Sequence, residues 1–195
     1  MTNIIKALLV SLSLLISAPT LAATEDYGTL LAGSYQPSET FATLAVDGSG
    51  SVYNFTLTAL DLDSIFSAGA FIGAIAVDLA PNLVPTISNV VGGAPVTYSA
   101  GGGPTGGFEF RFDLTGPQQA RLTANEFVSF TATFADAVAF NGNEFALHVQ
   151  NIGEENGGSA WYVNTSPVPE VDTYAMLMAG LGLMGFVARR RRNQQ

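Results

Sequence analysis

Side chains able to carry out acid-base, nucleophilic or metal chemistry are few in this chain, which has one histidine and no cysteine among 195 residues. His148 lies at a predicted outward position of a strand, which is typical of a solvated surface histidine. A Ser-His-acid triad would also need a serine at a strand-to-helix elbow, and the sequence between the two termini has no G-x-S-x-G pattern. We therefore expect neither serine hydrolase nor thiol chemistry.

Two carboxylates, Asp61 and Asp63, stand two residues apart in the segment Leu60-Asp-Leu-Asp-Ser64. On one face of a strand they could bind Ca²⁺, although the EF-hand pattern of oxygen ligands and glycine is absent. The alternative is a solvated or turn-capping pair. Glycosidases also use carboxylates, but their sites normally have aromatic platforms, and the sole tryptophan, Trp161, lies near the end of the domain. We expect no cofactor, with Ca²⁺ at this pair as the alternative.

The region between the termini is strongly acidic. Residues 24–165 contain 14 Asp and Glu against two arginines, Arg111 and Arg121, so their net charge is 2 minus 14, or minus 12, compared with minus 9 for the whole chain. A surface of that sign repels the phosphates of nucleic acids. Nucleic-acid binding is therefore excluded as a function.

Period-two alternation of apolar and polar residues is the clearest structural signal. Four segments alternate regularly, namely 51–59, 107–114, 126–134 and 144–152. Shorter apolar runs at 41–46, 70–79, 85–91 and 160–163 could supply further strands. The residues predicted to point into the core include Phe108, Phe110, Phe112, Phe130, Leu147 and Val149. Each alternating strand offers one face to a core.

The strands and the turn clusters between them predict an all-β domain. Short strands with antiparallel-style alternation favour a β-sandwich of about seven to nine strands over residues 23–165. With no cysteine, its core must be stabilised by packing alone, which a domain of this size can achieve. Asn141-Gly142 predicts a tight hairpin between a strand ending near Phe140 and one beginning at Glu144.

The N-terminus predicts a secretory signal peptide over residues 1–22. Lys6 supplies an early positive charge, residues 7–16 form a largely apolar run, and Pro19 breaks the helix before a series of small residues. Cleavage is expected between Ala22 and Ala23. The expected partners at this end are the secretion translocon and signal peptidase.

The C-terminus, residues 166–192, has three parts in a fixed order. A short element, Val168, Pro169 and Glu170, precedes an uncharged run at 173–188, and four arginines follow: Arg189, Arg190, Arg191 and Arg192. Sixteen helical residues span roughly 24 Å, somewhat less than a hydrocarbon core of about 30 Å. The arginines would lie at the cytoplasmic headgroups. The run therefore predicts a short single transmembrane helix with a membrane stop.

This tail resembles the PEP-CTERM segment of Gram-negative bacterial surface proteins, a tail also labelled an ice-binding protein C-terminal domain. Val171 stands where that family usually has proline. The resemblance implies that the membrane protease-transpeptidase exosortase recognises and cleaves the segment. It also implies temporary anchoring in the inner membrane, then a place at the cell surface or in the extracellular matrix of a biofilm, with exopolysaccharide as a further partner.

Glycines within the apolar run match the sequence pattern of a dinucleotide-binding fingerprint but lack its structural context. Gly180-x-Gly182-x-x-Gly185 neither follows a strand nor opens a helix of a βαβ unit, so this match is a false positive. Ala175, Ala179 and Gly182 instead form a small-residue stripe at helical spacing. Such a stripe would allow close packing against another membrane helix, or would simply face lipid.

These features together predict an exported, non-catalytic protein of the cell surface or matrix. The alternative from another class is a secreted carbohydrate-binding module or a hydrolase acting on matrix glycans.

Overall fold

The computed structural model of the chain describes residues 21–80, 82–104 and 107–165, and within them ten β-strands dominate. The strands are β1 (Leu21–Ala32), β2 (Ala42–Ser49), β3 (Val52–Ala59), β4 (Phe71–Val77), β5 (Thr86–Gly92), β6 (Thr97–Ala100), β7 (Phe110–Asp113), β8 (Phe127–Thr133), β9 (Phe145–Gln150) and β10 (Ser159–Asn164). One helical turn, α1 (Leu62–Ile65), and two 3₁₀ turns, Gln118–Ala120 and Glu154–Asn156, connect them. The prediction of an all-β domain is confirmed.

All ten strands belong to one antiparallel sheet, in the order β5-β8-β3-β2-β1-β10-β9-β4-β7-β6. β1 joins its two halves because it pairs with β2 over Leu21–Tyr27 and with β10 over Tyr27–Ala32. Register shifts between Tyr27 and Thr29 and between Leu30 and Ala32 mark irregularities where the strand changes partner. Such bulges bend a strand and increase its twist, which lets one sheet fold back over itself.

The two halves enclose an aromatic core. Phe112 of β7 packs against Phe130 of β8, with ring centroids 4.9 Å apart, although these strands lie in opposite halves of the sheet. Phe55 of β3 contacts Phe112 at 5.3 Å and Phe145 of β9 at 5.8 Å. Tilted and edge-to-face rings at these distances are the arrangements that aromatic side chains prefer. The predicted facing sheets are thus the two halves of one nearly closed sheet.

Most predicted inward residues are buried. Phe110, Phe112, Phe130, Leu147 and Val149 have at most 1% of their surface exposed. Phe108 was predicted to join them, but that prediction is wrong. β7 begins at Phe110, because its register with β4 extends only as far as the pair Val77 and Phe110, and Phe108 lies half-buried in the preceding loop.

Two further expectations need correction. The structure has ten strands where seven to nine were expected, because β1 and the four-residue edge strand β6 lacked a clear alternating pattern. The prediction of a hairpin at Asn141-Gly142 is also wrong. β8 ends at Thr133 and pairs with β3 and β5, whereas β9 pairs with β10 and β4. Residues 134–144 therefore form a crossover between the halves of the sheet.

A local interaction explains the turn at Asn141-Gly142. The Glu144 carboxylate accepts hydrogen bonds from the backbone N–H groups of Asn141, Gly142 and Asn143, at 2.8, 2.8 and 3.1 Å. Gly142 has φ 91°, which favours glycine. The turn signal was genuine, but a carboxylate rather than a partner strand stabilises the turn.

Candidate functional site

A groove of about 430 Å³ lies on the outer face of the half-sheet formed by β10, β9, β4, β7 and β6. Its side chains come from one cross-strand row, in which Trp161 is paired with His148, His148 with Ala74, and Ala74 with Asp113. Residues paired in this way on one face of a sheet lie side by side. Strands from three separate parts of the chain, 71–77, 110–113 and 145–164, thus bring together an indole, an imidazole, a small floor residue and a carboxylate.

One side of the groove is an aromatic pair. The rings of His148 and Trp161 are stacked, with centroids 4.4 Å apart and planes 9° from parallel. Since β9 lies between β10 and β4, the imidazole face that points away from Trp161 is turned toward Ala74. His148 thus presents a flat ring to the groove, supported from behind by the indole.

The surroundings of His148 favour the neutral form of its imidazole. Burial lowers the pKa of its imidazole, the nearby Arg111 charge lowers it further, and Asp113 partly opposes these effects. Gln150 Nε2 lies 3.1 Å from His148 Nδ1. With the amide as donor, Nδ1 is the acceptor and the imidazole proton resides on Nε2. His148 was predicted to face outward and does so, but it is half-buried against Trp161 rather than solvated.

The opposite side of the groove is an ion pair. Arg111 Nε donates to Asp113 Oδ1 at 2.5 Å, and the two side chains are 30% and 17% exposed. Ser99 Oγ donates to Asp113 Oδ2 at 2.5 Å, and Arg111 Nη1 donates to the Gly101 carbonyl at 3.2 Å. Charge-assisted bonds of this kind orient both groups. The pair is neutral overall and presents donors and acceptors in fixed positions.

Two glycines make room for these polar groups. A Cβ atom at Gly102 would overlap the Arg111 guanidinium, and φ at Gly102 is 83°. A Cβ atom at Gly73 would come within 2.8 Å of Gln150 Nε2. Gly73 also lies at the register shift between Ile72 and Ala74 in β4. The floor and one wall of the groove therefore depend on residues without side chains.

The predicted carboxylate pair lies at the start of α1 and not on a strand face: Asp61 is the N-cap residue and Asp63 is in the first turn. Asp61 Oδ1 accepts from the Ser64 backbone N–H at 3.4 Å, and Asp63 Oδ1 accepts from the Gly69 N–H at 2.8 Å. Both side chains thus cap local turns, the alternative that the sequence left open. Among residues 21–80, 82–104 and 107–165, no three His, Asp or Glu side chains are grouped so that they could bind a metal ion.

The predicted signal-peptide cleavage site and the last described residue, Thr165, both lie along β1, at one corner of the fold. Ala22 and Ala23 lie in β1, opposite Asp47 and Val46 of β2. Cleavage between them would leave β1 paired with β2 from Ala23 onward. At the other end, the Thr165 N–H donates to the Asp26 carbonyl at 2.6 Å, so the last described residue is bonded to β1.

Beside this corner, Glu25 is a buried carboxyl group, with 4% of its surface exposed. The Tyr27 hydroxyl donates to Glu25 Oε2 at 2.7 Å. Burial raises the pKa of Glu25 to about 7; the Tyr27 hydrogen bond opposes this shift and the Glu144 charge adds to it. Sequence patterns did not indicate this site, because a glutamate at an inward position interrupts the apolar alternation.

The remaining predicted sites lie outside the described residues. They are the processing element Val168, Pro169 and Glu170, the small-residue stripe Ala175, Ala179 and Gly182, and the stop Arg189, Arg190, Arg191 and Arg192, together with the signal-peptide residues before Leu21. In the part of the chain that the structure describes, no helix is long and apolar enough to cross a membrane. The predicted transmembrane helix, 173–188, is not in that part.

Comparison with known families identifies the tail. Residues 167–192 match the model of the PEP-CTERM protein-sorting motif. No curated protein matches the chain. The match confirms the resemblance read from the Pro-Glu element, the apolar run and the arginines. The chain thus carries the exosortase-dependent sorting signal of an exported protein, which is anchored in the membrane only until it is processed.

Proposed function

We propose, from the PEP-CTERM sorting motif that the chain carries, that it is a non-catalytic protein of the cell surface or extracellular matrix. The translocon exports it and signal peptidase removes residues 1–22. The segment 173–188 then holds it in the inner membrane, with the four arginines as the stop. Exosortase cuts next to Glu170, and the ectodomain becomes associated with exopolysaccharide.

The match to residues 167–192 is the observation that carries this proposal. The geometry of the ectodomain agrees with it, because β10 ends at Asn164 and Thr165 is bonded to Asp26. A cut near Glu170 removes none of the ten strands. The domain can therefore be released without any loss of its core.

A specific observation also favours the alternative of a carbohydrate-binding module. The groove combines a stacked aromatic pair with fixed hydrogen-bonding groups, which is how concave sites recognise small polar ligands. A glycan hydrolase would need a second carboxylate about 5 to 10 Å from the first. Of the described residues that line the groove, Asp113 is the carboxylate, and it is bonded to Arg111 and Ser99. We therefore favour binding over cleavage.

Mass spectrometry of the mature protein tests the sorting proposal. In a host with a functional exosortase, we expect the C-terminus to lie near Glu170 and residues 173–192 to be missing. Glu170→Ala should remain inserted and uncut, because the apolar run and the arginines are unchanged. Asp172→Asn, which removes a neighbouring charge outside the Pro-Glu element, is the control and should be cut. Intact residues 173–192 on the mature surface protein would leave a plain membrane anchor instead.

A further inference from the structure

We propose that the groove between His148 and Asp113 is a binding slot for one sugar ring of a neutral glycan. This inference rests on the proposed association with exopolysaccharide and gives it a site. Three features of the groove support it: the width of the groove, the chemistry of its two walls and the charge between them.

The width follows from the register of the sheet. His148 and Asp113 lie on β9 and β7, on either side of β4, so two strand spacings of about 4.8 Å separate their backbones. Ala74 lies between them at the bottom of the groove, where its short side chain is only 3% exposed, so a ring would lie above Ala74 and not against it. A ring lying midway would be about 4 to 5 Å from the imidazole, where the carbon atoms of a puckered ring reach van der Waals contact.

The aromatic wall favours a sugar over a fully polar ligand. A pyranose has one face of C–H groups, which packs well against a flat, neutral aromatic ring. His148 presents such a ring, because its pKa is lowered by burial, and Trp161 stacks behind it at 4.4 Å. The supporting indole restricts the imidazole to one orientation, so little conformational entropy is lost when a ligand stacks on it.

The polar wall supplies what sugar hydroxyls need. Arg111 has guanidinium N–H donors, Asp113 has carboxylate acceptors, and Gln150 offers an amide beside the imidazole. These groups are already oriented by the bonds to Ser99 and Gly101. Pre-oriented polar groups around an apolar surface give specificity for the positions of hydroxyl groups.

Charge selects a neutral glycan over an anionic one. The single cation lining the groove among the described residues, Arg111, is paired with Asp113 at 2.5 Å. The domain around it has a net charge of 2 minus 14, or minus 12. The negative potential of the domain would repel the carboxylate of a uronic acid, and the groove has no unpaired cation among its described residues to bind that carboxylate. An uncharged hexose would not be repelled.

The lone tryptophan provides a direct measurement. Trp161 is the only tryptophan of the chain, so its emission reports on this groove. The full-length protein, purified in a detergent without a sugar headgroup, is titrated with cellohexaose, mannohexaose, chitohexaose and, as the anionic comparison, hexagalacturonate. We expect at least one neutral hexaose to change the emission saturably, and hexagalacturonate to have no effect.

Variants locate the binding in the slot. Ala74→Leu fills the space between the walls and should weaken binding by about tenfold or more, and Gln150→Ala should weaken it by a few-fold. The matched control is Ala45→Leu on β2, an alanine on the outer face of the other half of the sheet, which should leave the affinity unchanged. Circular dichroism verifies that each variant is folded.

Three outcomes would overturn the proposal of a sugar-binding slot. They are no response to any neutral hexaose, preferential binding of hexagalacturonate, or equal affinity in folded Ala74→Leu and Ala45→Leu. None of these affects the position of the mature C-terminus, which tests sorting separately. A correctly cut protein without hexaose binding would therefore refute the slot alone.

Discussion

Glu25 is a carboxylic acid on the buried face of β1, with 4% of its surface exposed. Its pKa rises from 4.5 to about 7, chiefly because burial penalises the charged form. The folded chain therefore binds this proton more tightly than the unfolded chain does. The contribution of Glu25 to the free energy of unfolding is fully present below about pH 4.5 and is lost as the pH rises through 7. The total loss is roughly 3 kcal/mol, at about 1.4 kcal/mol per pKa unit.

Glu25→Gln tests this directly, because glutamine resembles the protonated acid in shape and charge. We expect the variant to gain stability relative to the parent as the pH rises from 5 to 8, by up to about 3 kcal/mol. Chemical unfolding at several pH values measures the difference. Glu39→Gln, at an exposed carboxylate, is the control and should show no such trend. If the Glu25→Gln and parental profiles run parallel, Glu25 is ionised in the folded protein throughout.

At the scale of elements, β1 and β7 organise the fold in different ways. β1 is shared by both halves of the sheet, and its register shifts lie next to Tyr27, where its pairing passes from β2 to β10. β7 carries the core on one face and the groove on the other: Phe110 and Phe112 point inward, whereas Arg111 and Asp113 line the groove. A four-residue strand therefore couples the packing of the core to the position of the ion pair.

Phe110→Ala should destabilise the protein by about 3 to 5 kcal/mol, the usual cost of removing a buried aromatic ring. Phe110 is 1% exposed and packs against Phe112, Phe134 and Tyr98. Phe127→Ala on β8 is the matched control, since Phe127 is 47% exposed and its loss should cost less than about 1 kcal/mol. Thermal melting of both variants compares them. Similar melting temperatures for the two would show that Phe110 does not support the core.

At the scale of the whole molecule, we expect the arginine cluster to determine whether the chain stays in the membrane. Replacing Arg189, Arg190, Arg191 and Arg192 with Gln removes charges that each cost about 2.5 to 3.5 kcal/mol at the bilayer centre. We expect this variant to pass through the membrane and to escape cleavage, and fractionation of cells would detect it outside the membrane. Replacement of all four with Lys keeps the charge and should preserve retention. Equal retention of the Gln and Lys variants would mean that the apolar run alone is the stop.

The sequence predicted the strands whose buried residues alternate regularly. β3, β8 and β9 lie close to the predicted bounds, and Tyr53, Phe55 and Val128 are buried as the pattern requires. β1 was missed because Glu25 occupies an inward position, and β6 because it is short and lies at an edge. At the site, the outward position of His148 was predicted. Its partner Trp161 could not be predicted, because their pairing depends on the register of β9 with β10.

The order of elements at the C-terminus determined, without any tertiary structure, that this is a sorted and exported chain. That was possible because the sorting signal is a property of the local sequence: an apolar run flanked by a Pro-Glu element and arginines. A strand that is buried on one face can likewise be recognised from the local alternation of its residues. The groove and the acidity of Glu25 were decided by the tertiary structure alone. Both depend on residues that are far apart in the chain, and strand order and register are set by the packing of the entire core.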